Sequence, residues 1–292
     1  MNLVFHHAAL GDFALILPLL RGLDGPTTLV APWSRGRLAA ALIDGLQTLD
    51  IELFEFTRLH HEDGPSTLSP AVREAFEDAR TVVSFVGNGQ DAWTANVLRL
   101  APQANVVHLP TRPPREYGGH LAEFHRDELM SHGVAVADVA VERRADPDGP
   151  VLIHPGSGGA AKCWPPERFA ELIDRLKAAG RSVRVVYGEA EAERWPAARL
   201  DDWRRRYDAV GCASLEALVE AILTASAYVG NDAGPTHLAA QLGLPTLALF
   251  GPTDPETWSP RGPAVRVLSP PQPRPMDWLS VDALVDVLRD WP

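Results

Sequence analysis

Short apolar runs rich in β-branched residues alternate along the chain with segments of helical periodicity. Such runs, bounded by Gly, Pro, Asn or Asp, are typical of strands buried in a parallel sheet, and the segments between them of crossover helices. The predicted strands cover residues 3–5, 28–31, 81–85, 105–109, 151–154, 183–187, 227–230 and 246–250. The pattern therefore predicts an α/β protein with parallel sheets.

The predicted strands fall into two sets of four, separated by a charged, turn-forming stretch at residues 142–150 that contains two prolines and a glycine. This composition suits a linker. We therefore expect a first domain over residues 1–146, a second over residues 149–274 and a tail over residues 275–292. Within the tail, residues 280–289 predict a short amphipathic helix that begins after Ser280.

Composition excludes several classes of protein. The chain has 292 residues, 46% of them hydrophobic and 22% charged, which is typical of a globular protein and not of a disordered or fibrous one. The formal net charge of −11 argues against a nucleic-acid partner. Two cysteines, Cys163 and Cys212, favour a reducing compartment. With no secretory signal and no apolar stretch long enough to cross a membrane, we expect a cytoplasmic protein.

Lysine is scarce, because Lys162 and Lys177 are the only two among 27 basic residues. Lys162 follows the predicted strand at 151–154 in a glycine-rich loop that includes Ser157 and Gly158. Closely spaced backbone N–H groups and one ammonium suit phosphate oxygens, although the loop matches neither the P-loop nor the dinucleotide pattern. The alternative is a flexible turn with a solvated lysine.

A second loop, residues 229–243, contains an Asn-Asp turn after a predicted strand, and a helix opens near Pro235. Backbone N–H groups in that first turn would form another anion site. Asp232 would repel a phosphate there unless it orients the loop, accepts from Lys162 or accepts from a sugar hydroxyl. His237 fits either an ordinary, partly buried histidine or an acid or ligand.

A third loop follows the first predicted strand and contains Gly11 and Asp12. Loops at the carboxyl ends of strands are where open α/β sheets bind ligands. Gly11 would let a substrate approach the backbone, and Asp12 fits either a general base or a helix N-cap.

Together and in this order, these segments resemble glycosyltransferase family 9, the ADP-heptose:lipopolysaccharide heptosyltransferases. The resemblance rests on five motifs: Gly11-Asp12 with Pro18, residues 154–157 (His-Pro-Gly-Ser), Lys162 with Trp164-Pro165, residues 231–234 (Asn-Asp-Ala-Gly) with His237, and residues 250–255 (Phe-Gly-Pro-Thr-Asp-Pro). Residues 119–133 also look like a helix that the family has near the end of its first domain.

The resemblance implies a GT-B fold: two Rossmann-like domains that face each other across a cleft, with the last helix crossing back to pack on the N-terminal domain. It implies that the first domain binds the acceptor and that the second binds the nucleotide-sugar. It implies that Asp12 is the base that deprotonates the acceptor hydroxyl. Lys162 and the loop from Asp232 through Ala233 and Gly234 to Thr236 match residues that hold the donor diphosphate. Of three acidic residues after the strand at 183–187, Glu191 is our choice for the ribose ligand, although a helix N-terminus also favours acidic residues.

The resemblance implies transfer of a heptose or similar sugar from an ADP-sugar to a lipopolysaccharide-type or other glycan acceptor, with inversion at the anomeric carbon. The implied reaction needs no metal or other cofactor. Peripheral association with the inner membrane is an open alternative. The first half of the chain carries a charge of −8 and no lysine, so Arg112 and Arg115 are the nearest candidates for an acidic acceptor. A solvated turn is the alternative for this pair. Two alternatives remain: a GT-B transferase or epimerase that uses a UDP- or GDP-sugar, and a catalytically silent protein that binds a nucleotide-sugar.

Overall fold

The structure, a computed structural model, describes residues 1–289 and 291. The chain divides into two compact units, Met1–Val139 and Ala140–Pro292. Each unit contains one parallel sheet with helices between successive strands, as the alternating pattern predicted.

The first unit has a five-stranded parallel sheet in the order β3-β2-β1-β4-β5. Its strands are β1 (Asn2–Phe5), β2 (Thr27–Ala31), β3 (Gln47–Asp50), β4 (Thr81–Ser84) and β5 (Asn105–His108). Its helices are α1 (Leu10–Gly22), α2 (Trp33–Leu42), α3 (Phe54–Arg58), α4 (Pro70–Glu77), α5 (Ala92–Leu100) and α6 (Leu121–Ser131). The strand order reverses between β1 and β4, so a crevice opens there at the carboxyl ends of the strands.

The second unit has a six-stranded parallel sheet in the order β11-β10-β9-β6-β7-β8. Its strands are β6 (Val151–His154), β7 (Val183–Tyr187), β8 (Ala209–Gly211), β9 (Ala227–Asn231), β10 (Thr246–Leu249) and β11 (Val265–Leu268). Its helices are α7 (Pro166–Ala178), α8 (Glu189–Arg194), α9 (Ala197–Tyr207), α10 (Leu215–Leu223), α11 (Gly234–Gln241), α12 (Pro255–Trp258) and α13 (Val281–Arg289). The order reverses between β6 and β9, which places their two loops side by side.

Three strands escaped the sequence pattern, namely β3, β8 and β11. All three lie at an edge of their sheet and are partly exposed, whereas the eight predicted strands are better buried or more apolar. An edge strand needs fewer apolar side chains, so its hydrophobic signal is weak.

The division between the units falls at Val139, before the predicted end of the first domain at residue 146. The predicted linker belongs to the second unit because its backbone is bonded there. The N–H of Arg144 donates to the carbonyl of Gly243 over 2.8 Å, and the N–H of Asp146 donates to that of Ala225 over 3.0 Å.

The tail forms the predicted helix. Helix α13 lies in the second unit and packs against α7. Its apolar side chains Val281, Leu284 and Leu288 join the core cluster that contains Phe169 and Leu172 of α7. Burial of this apolar face against α7 stabilises the helix in this position.

Candidate functional site

The proposed donor loops meet at the carboxyl edge of the second sheet. The loop after β6 contains Lys162, the loop after β9 contains Asp232, and the loop after β10 contains Thr253. These three strands are neighbours in the sheet, so their loops form one polar surface.

Asp232 is the centre of this surface and is 5% exposed. Its Oδ2 accepts hydrogen bonds from the Lys162 ammonium and the Thr253 hydroxyl, both over 2.7 Å. Its Oδ1 lies 3.3 Å from Nε2 of His237. Burial opposes ionisation of Asp232, but the bonds from His237 and Lys162 outweigh it and lower the pKa of this carboxyl to about 2. Asp232 therefore carries a full negative charge that fixes Lys162 in place.

Of the alternatives for Asp232, the structure confirms acceptance from Lys162. An ammonium has three N–H donors, and Asp232 takes one of them. The Lys162 side chain is 35% exposed, so its remaining donors can reach a ligand. This geometry argues against a solvated lysine on a flexible turn.

Hydrogen bonds between the loops hold the surface together. The Asn231 amide donates to the carbonyl of Pro155 over 2.9 Å and accepts from the N–H of Trp164 over 2.9 Å. The Ser157 hydroxyl donates to the carbonyl of Asp232 over 2.8 Å, and the Thr236 hydroxyl to that of Asn231 over 2.5 Å. The hydroxyl protons of Ser157 and Thr236 are therefore used in hydrogen bonds to loop carbonyls.

Other predicted donor residues occupy the same edge. Gly158 is exposed, Ala233 is the N-cap of α11, and Gly234 begins that helix. His237 is buried within α11, and its ring contacts Asp232.

Glu191 lies beside the glycine-rich loop but is 3% exposed, which limits its access to a ribose. Its Oε2 accepts from the N–H of Gly188 over 2.9 Å and lies 3.5 Å from Nε2 of His154. Burial opposes ionisation, but the contact with His154 and the bond from Gly188 lower the pKa of Glu191. The residue caps its own helix, which is the alternative that the sequence left open for it.

Sequence reasoning missed Arg194 and Thr253. The guanidinium of Arg194 donates to the carbonyls of Ser157 and Gly158 over 2.7 and 2.6 Å, and so braces the glycine-rich loop. Thr253 lies in the motif at residues 250–255 but was not among the predicted site residues, although the adjacency of β9 and β10 could have drawn attention to it.

Asp12 lies in the first turn of α1, whose N-cap is Ala9. The N-cap interpretation of Asp12 is therefore wrong, because the helix begins two residues before it. A guanidinium N–H of Arg35 donates to the carbonyl of Ala8 in the same loop. Burial lowers the pKa of Arg35, and the charge of Asp12 opposes that effect. Gly11 precedes Asp12 and is half-buried.

Arg112 and Arg115 are exposed in the loop between β5 and α6. Both lie in the first unit, in which the carboxyl-edge crevice opens between β1 and β4. Because β5 is the strand beyond β4, the arginines follow a strand that does not border that crevice.

Two further features bear on the expected chemistry. Within the described residues, no helix combines the length and apolar character of a membrane span. In the same part of the chain, no three His, Cys, Asp or Glu side chains are grouped so that they could hold a metal ion.

Comparison with known proteins extends the likeness beyond single motifs. A sequence model described as glycosyltransferase family 9 (heptosyltransferase) matches residues 120–277, more than half of the chain. Lipopolysaccharide heptosyltransferase 1 of Pseudomonas aeruginosa is 38% identical over 200 residues, which cover 61% of this chain and 56% of that protein. Lipopolysaccharide heptosyltransferase 2 of Salmonella typhimurium is 36% identical over 115 residues, covering 38% of this chain and 33% of the relative.

The fold is also similar to that of a solved structure along its whole length. The structure of E. coli heptosyltransferase WaaC with ADP gives a TM-score of 0.73 at 18% identity and covers 99% of both chains. The sequence matches to the curated relatives span about half or less of those proteins. The similarity to the E. coli structure supports the two-domain GT-B architecture. The match of the family model to more than half of the chain assigns the chain to a family. The chain belongs to glycosyltransferase family 9.

Proposed function

We propose that this protein transfers a heptose or a similar sugar from an ADP-sugar to a glycan acceptor. The observation that carries the proposal is the Lys162-Asp232 pair at the edge between β6 and β9, with Thr253 and His237 on the same carboxylate. The relatives that match this region are named lipopolysaccharide heptosyltransferases, and the similar E. coli structure contains ADP. We therefore place the nucleotide diphosphate on this surface.

In this proposal, Lys162 and the N-terminus of α11 neutralise the diphosphate. Negative charge grows on the diphosphate as the bond to the sugar breaks, and positive groups fixed in advance stabilise that charge most in the transition state. Asp232 takes no direct part and holds the ammonium where the phosphate oxygens arrive. No metal ion or other cofactor takes part, because these groups supply the positive charge.

Asp12 is the general base of the proposed reaction. The acceptor oxygen attacks the anomeric carbon, its proton passes to the Asp12 carboxylate, and the electron pair of the breaking carbon–oxygen bond leaves with ADP. Attack opposite to the leaving group inverts the anomeric configuration. Asp12 lies in the first turn of α1, and its carboxylate oxygens can accept a proton from a hydroxyl within hydrogen-bond reach.

The proposed acceptor is a lipopolysaccharide-type or other glycan. Such a reaction would take place in the cytoplasm, with the acceptor presented at the inner membrane surface. Incubation with ADP-heptose and candidate glycans, with released ADP as the readout, tests transfer directly.

The two lysines provide a matched test of the donor site. We expect Lys162→Ala to weaken ADP binding about 10- to 100-fold, since a hydrogen bond to a charged group contributes about 1.5–3 kcal/mol. Lys177→Ala removes the same charge at an exposed position that contacts the carbonyl of Arg206, and should leave affinity unchanged. Equal affinity of both variants in calorimetry, or no ADP binding by the parent protein, would refute the donor site.

Asp12→Asn separates binding from chemistry. The substitution keeps the shape of the side chain but removes the base, so turnover should fall by about 10²- to 10⁴-fold while ADP affinity stays constant. Unchanged turnover would contradict the role of Asp12. A thermal-shift series with ADP, UDP and GDP identifies the nucleotide that the protein binds, because a bound ligand stabilises the folded state.

A further inference from the structure

Arg35 of α2 is bonded to the loop that carries Asp12. Its guanidinium donates a hydrogen bond to the carbonyl of Ala8, which comes directly before the N-cap of α1 and four residues before Asp12. Because β1 and β2 are neighbours, the loop after β1 and the start of α2 meet at the carboxyl edge of the first sheet. The bond therefore joins two segments that are 27 residues apart in sequence.

The segment held by this bond is the start of α1. Its N-cap is Ala9, whose carbonyl accepts from the N–H of Phe13 over 3.0 Å but whose methyl side chain cannot accept a bond from the first turn. A helix start without a capping side chain depends on other contacts to fix its conformation. Arg35 supplies such a contact from α2.

Arg35 also lies near several ionisable groups. Burial lowers its pKa, and the charge of Asp12 opposes that effect. Burial, then the charge of Arg35, then the charges of His125 and His7, lower the pKa of His6 to about 3. Burial also lowers the pKa of His125, which lies on α6, to about 4. His6 and His125 are therefore neutral at pH 7, where Arg35 is a cation beside the Asp12 carboxylate.

The charge of Arg35 does not make Asp12 a stronger base. A nearby cation favours the carboxylate over the neutral acid and so weakens its pull on a proton. The charge matters when an acceptor covers the half-buried Asp12, because removal of water from a carboxylate favours the neutral acid. A guanidinium fixed by its bond to the loop opposes that protonation.

We propose that Arg35 is a positioning residue for Asp12, acting through its bond to the Ala8 carbonyl and through its charge. The bond fixes the loop and so places the carboxylate relative to the attacking oxygen, where a displacement of about 1 Å can cost about 100-fold in rate. The charge keeps the carboxylate ionised under a bound acceptor. The inference rests on the proposed transfer reaction for the role of Asp12, whereas the effect of Arg35 on the titration of Asp12 is measured without substrate.

Two arginines of α2 provide a matched test. Arg35→Gln removes the charge beside Asp12, and Arg37→Gln removes the same charge from an exposed position of the same helix. We expect kcat to fall about 10- to 100-fold in Arg35→Gln, with ADP affinity unchanged, and to stay at the parent value in Arg37→Gln.

The pH profile of kcat/KM separates positioning of a charged base from a general structural defect. Activity is lost on the acid side as Asp12 takes up a proton, and removal of a nearby cation makes that uptake easier. Two opposite charges about 6 Å apart in water-like surroundings correspond to roughly 0.5 to 1 pH unit. The acid limb of Arg35→Gln should therefore move to higher pH by that amount, whereas a structural defect alone would lower kcat and leave the limb in place.

Two further variants at the same position support the comparison. Arg35→Lys keeps a positive charge but replaces the planar fork by a single ammonium, so its acid limb should stay near that of the parent and its kcat should exceed that of Arg35→Gln. Arg35→Met keeps an apolar stem in the half-buried site and takes the place of Arg35→Gln if that variant does not fold.

The titration of Asp12 is also followed without substrate, by NMR of protein labelled with ¹³C at the aspartate carboxyls, with Asp12→Asn to assign the resonance. The pKa of Asp12 should rise in Arg35→Gln and stay constant in Arg37→Gln. An unchanged titration in the uncharged Arg35 variants, parent-like kcat in those variants, or an equal loss of kcat in Arg37→Gln would overturn the proposal. If the parent protein transfers no sugar but the titration of Asp12 moves as expected, the proposed reaction fails and the effect of Arg35 on Asp12 stands.

Discussion

The contact between Gly156 and Glu191 makes a sharp prediction about packing beneath the glycine-rich loop. A Cβ built on Gly156 would lie 1.8 Å from Oε1 of Glu191 and 2.0 Å from its Cδ. Gly156→Ala therefore forces the buried carboxylate to move by more than an ångström. That movement breaks its bond from the N–H of Gly188.

The magnitude follows from these two effects. Loss of a hydrogen bond to a charged group costs about 1.5–3 kcal/mol, and overpacking a well-filled site costs about 1–3 kcal/mol. Because both effects describe one displacement, we expect Gly156→Ala to lower the free energy of unfolding by about 3 kcal/mol. In a Glu191→Ala background the obstructing atoms are gone, and the same substitution should cost about 0 kcal/mol or stabilise slightly.

Urea unfolding is measured for the parent, Gly156→Ala, Glu191→Ala and the double variant, and each curve is fitted with a separate transition for each unit. The four free energies of unfolding give the coupling energy between residues 156 and 191. Gly158→Ala is the matched control, since nothing lies within 4 Å of a Cβ built on that glycine. The reasoning fails if Gly156→Ala destabilises the Glu191→Ala protein as much as it destabilises the parent.

Three further predictions concern single side chains. Asp232→Asn should lose about 2 kcal/mol of stability at pH 7, because the pKa of Asp232 is lowered from 3.8 to about 2 in the folded state. The wild-type advantage should disappear as pH falls from about 4 toward 2, and a pH-independent difference in urea midpoints would contradict this. Thr253→Val should cost about 1–3 kcal/mol in the same assay through loss of the hydrogen bond to Asp232, and an unchanged midpoint would speak against that bond. His6 is buried between Phe13 and Phe85, neither ring nitrogen has a hydrogen-bond partner, and burial foremost lowers its pKa to about 3. Its unfolded form binds protons first, so stability should fall as pH drops from about 6.5 toward 3, and His6→Phe should weaken that dependence in melting temperature; parallel curves would refute it.

The central strands could be predicted from sequence because they are buried, and burial gives each of them a short run of apolar, β-branched residues. Strands β6 and β7 begin and end where the pattern placed them. The edge strand β3 could not be found this way, since half-exposed strands mix polar and apolar residues. The position of α13 could not be predicted either. Its hydrophobic periodicity predicts an apolar face but does not indicate which surface that face packs against.

The candidate donor site was predictable in its residues but not in its bonds. Loop chemistry and the scarcity of lysine identified Lys162 and Asp232, and the structure joins them over 2.7 Å. The burial of Glu191 depends on a close approach between two loops, which no local pattern reports. Arg194 follows an acidic run, and nothing in that run indicates that its side chain turns back to the carbonyls of Ser157 and Gly158.

The pairing of Lys162 with Asp232 also provides a spectroscopic reporter. The chain has two lysines, and Lys177 differs in its surroundings, with its ammonium 6.0 Å from the centre of the Tyr207 ring and 2.9 Å from the carbonyl of Arg206. Reductive methylation with ¹³C-formaldehyde would therefore place one labelled amine beside a carboxylate and another near an aromatic ring current, with the amine of Met1 as a third. Titration of ADP against these few resonances would follow occupancy of the donor site, and the Lys177 signal would serve as an internal reference.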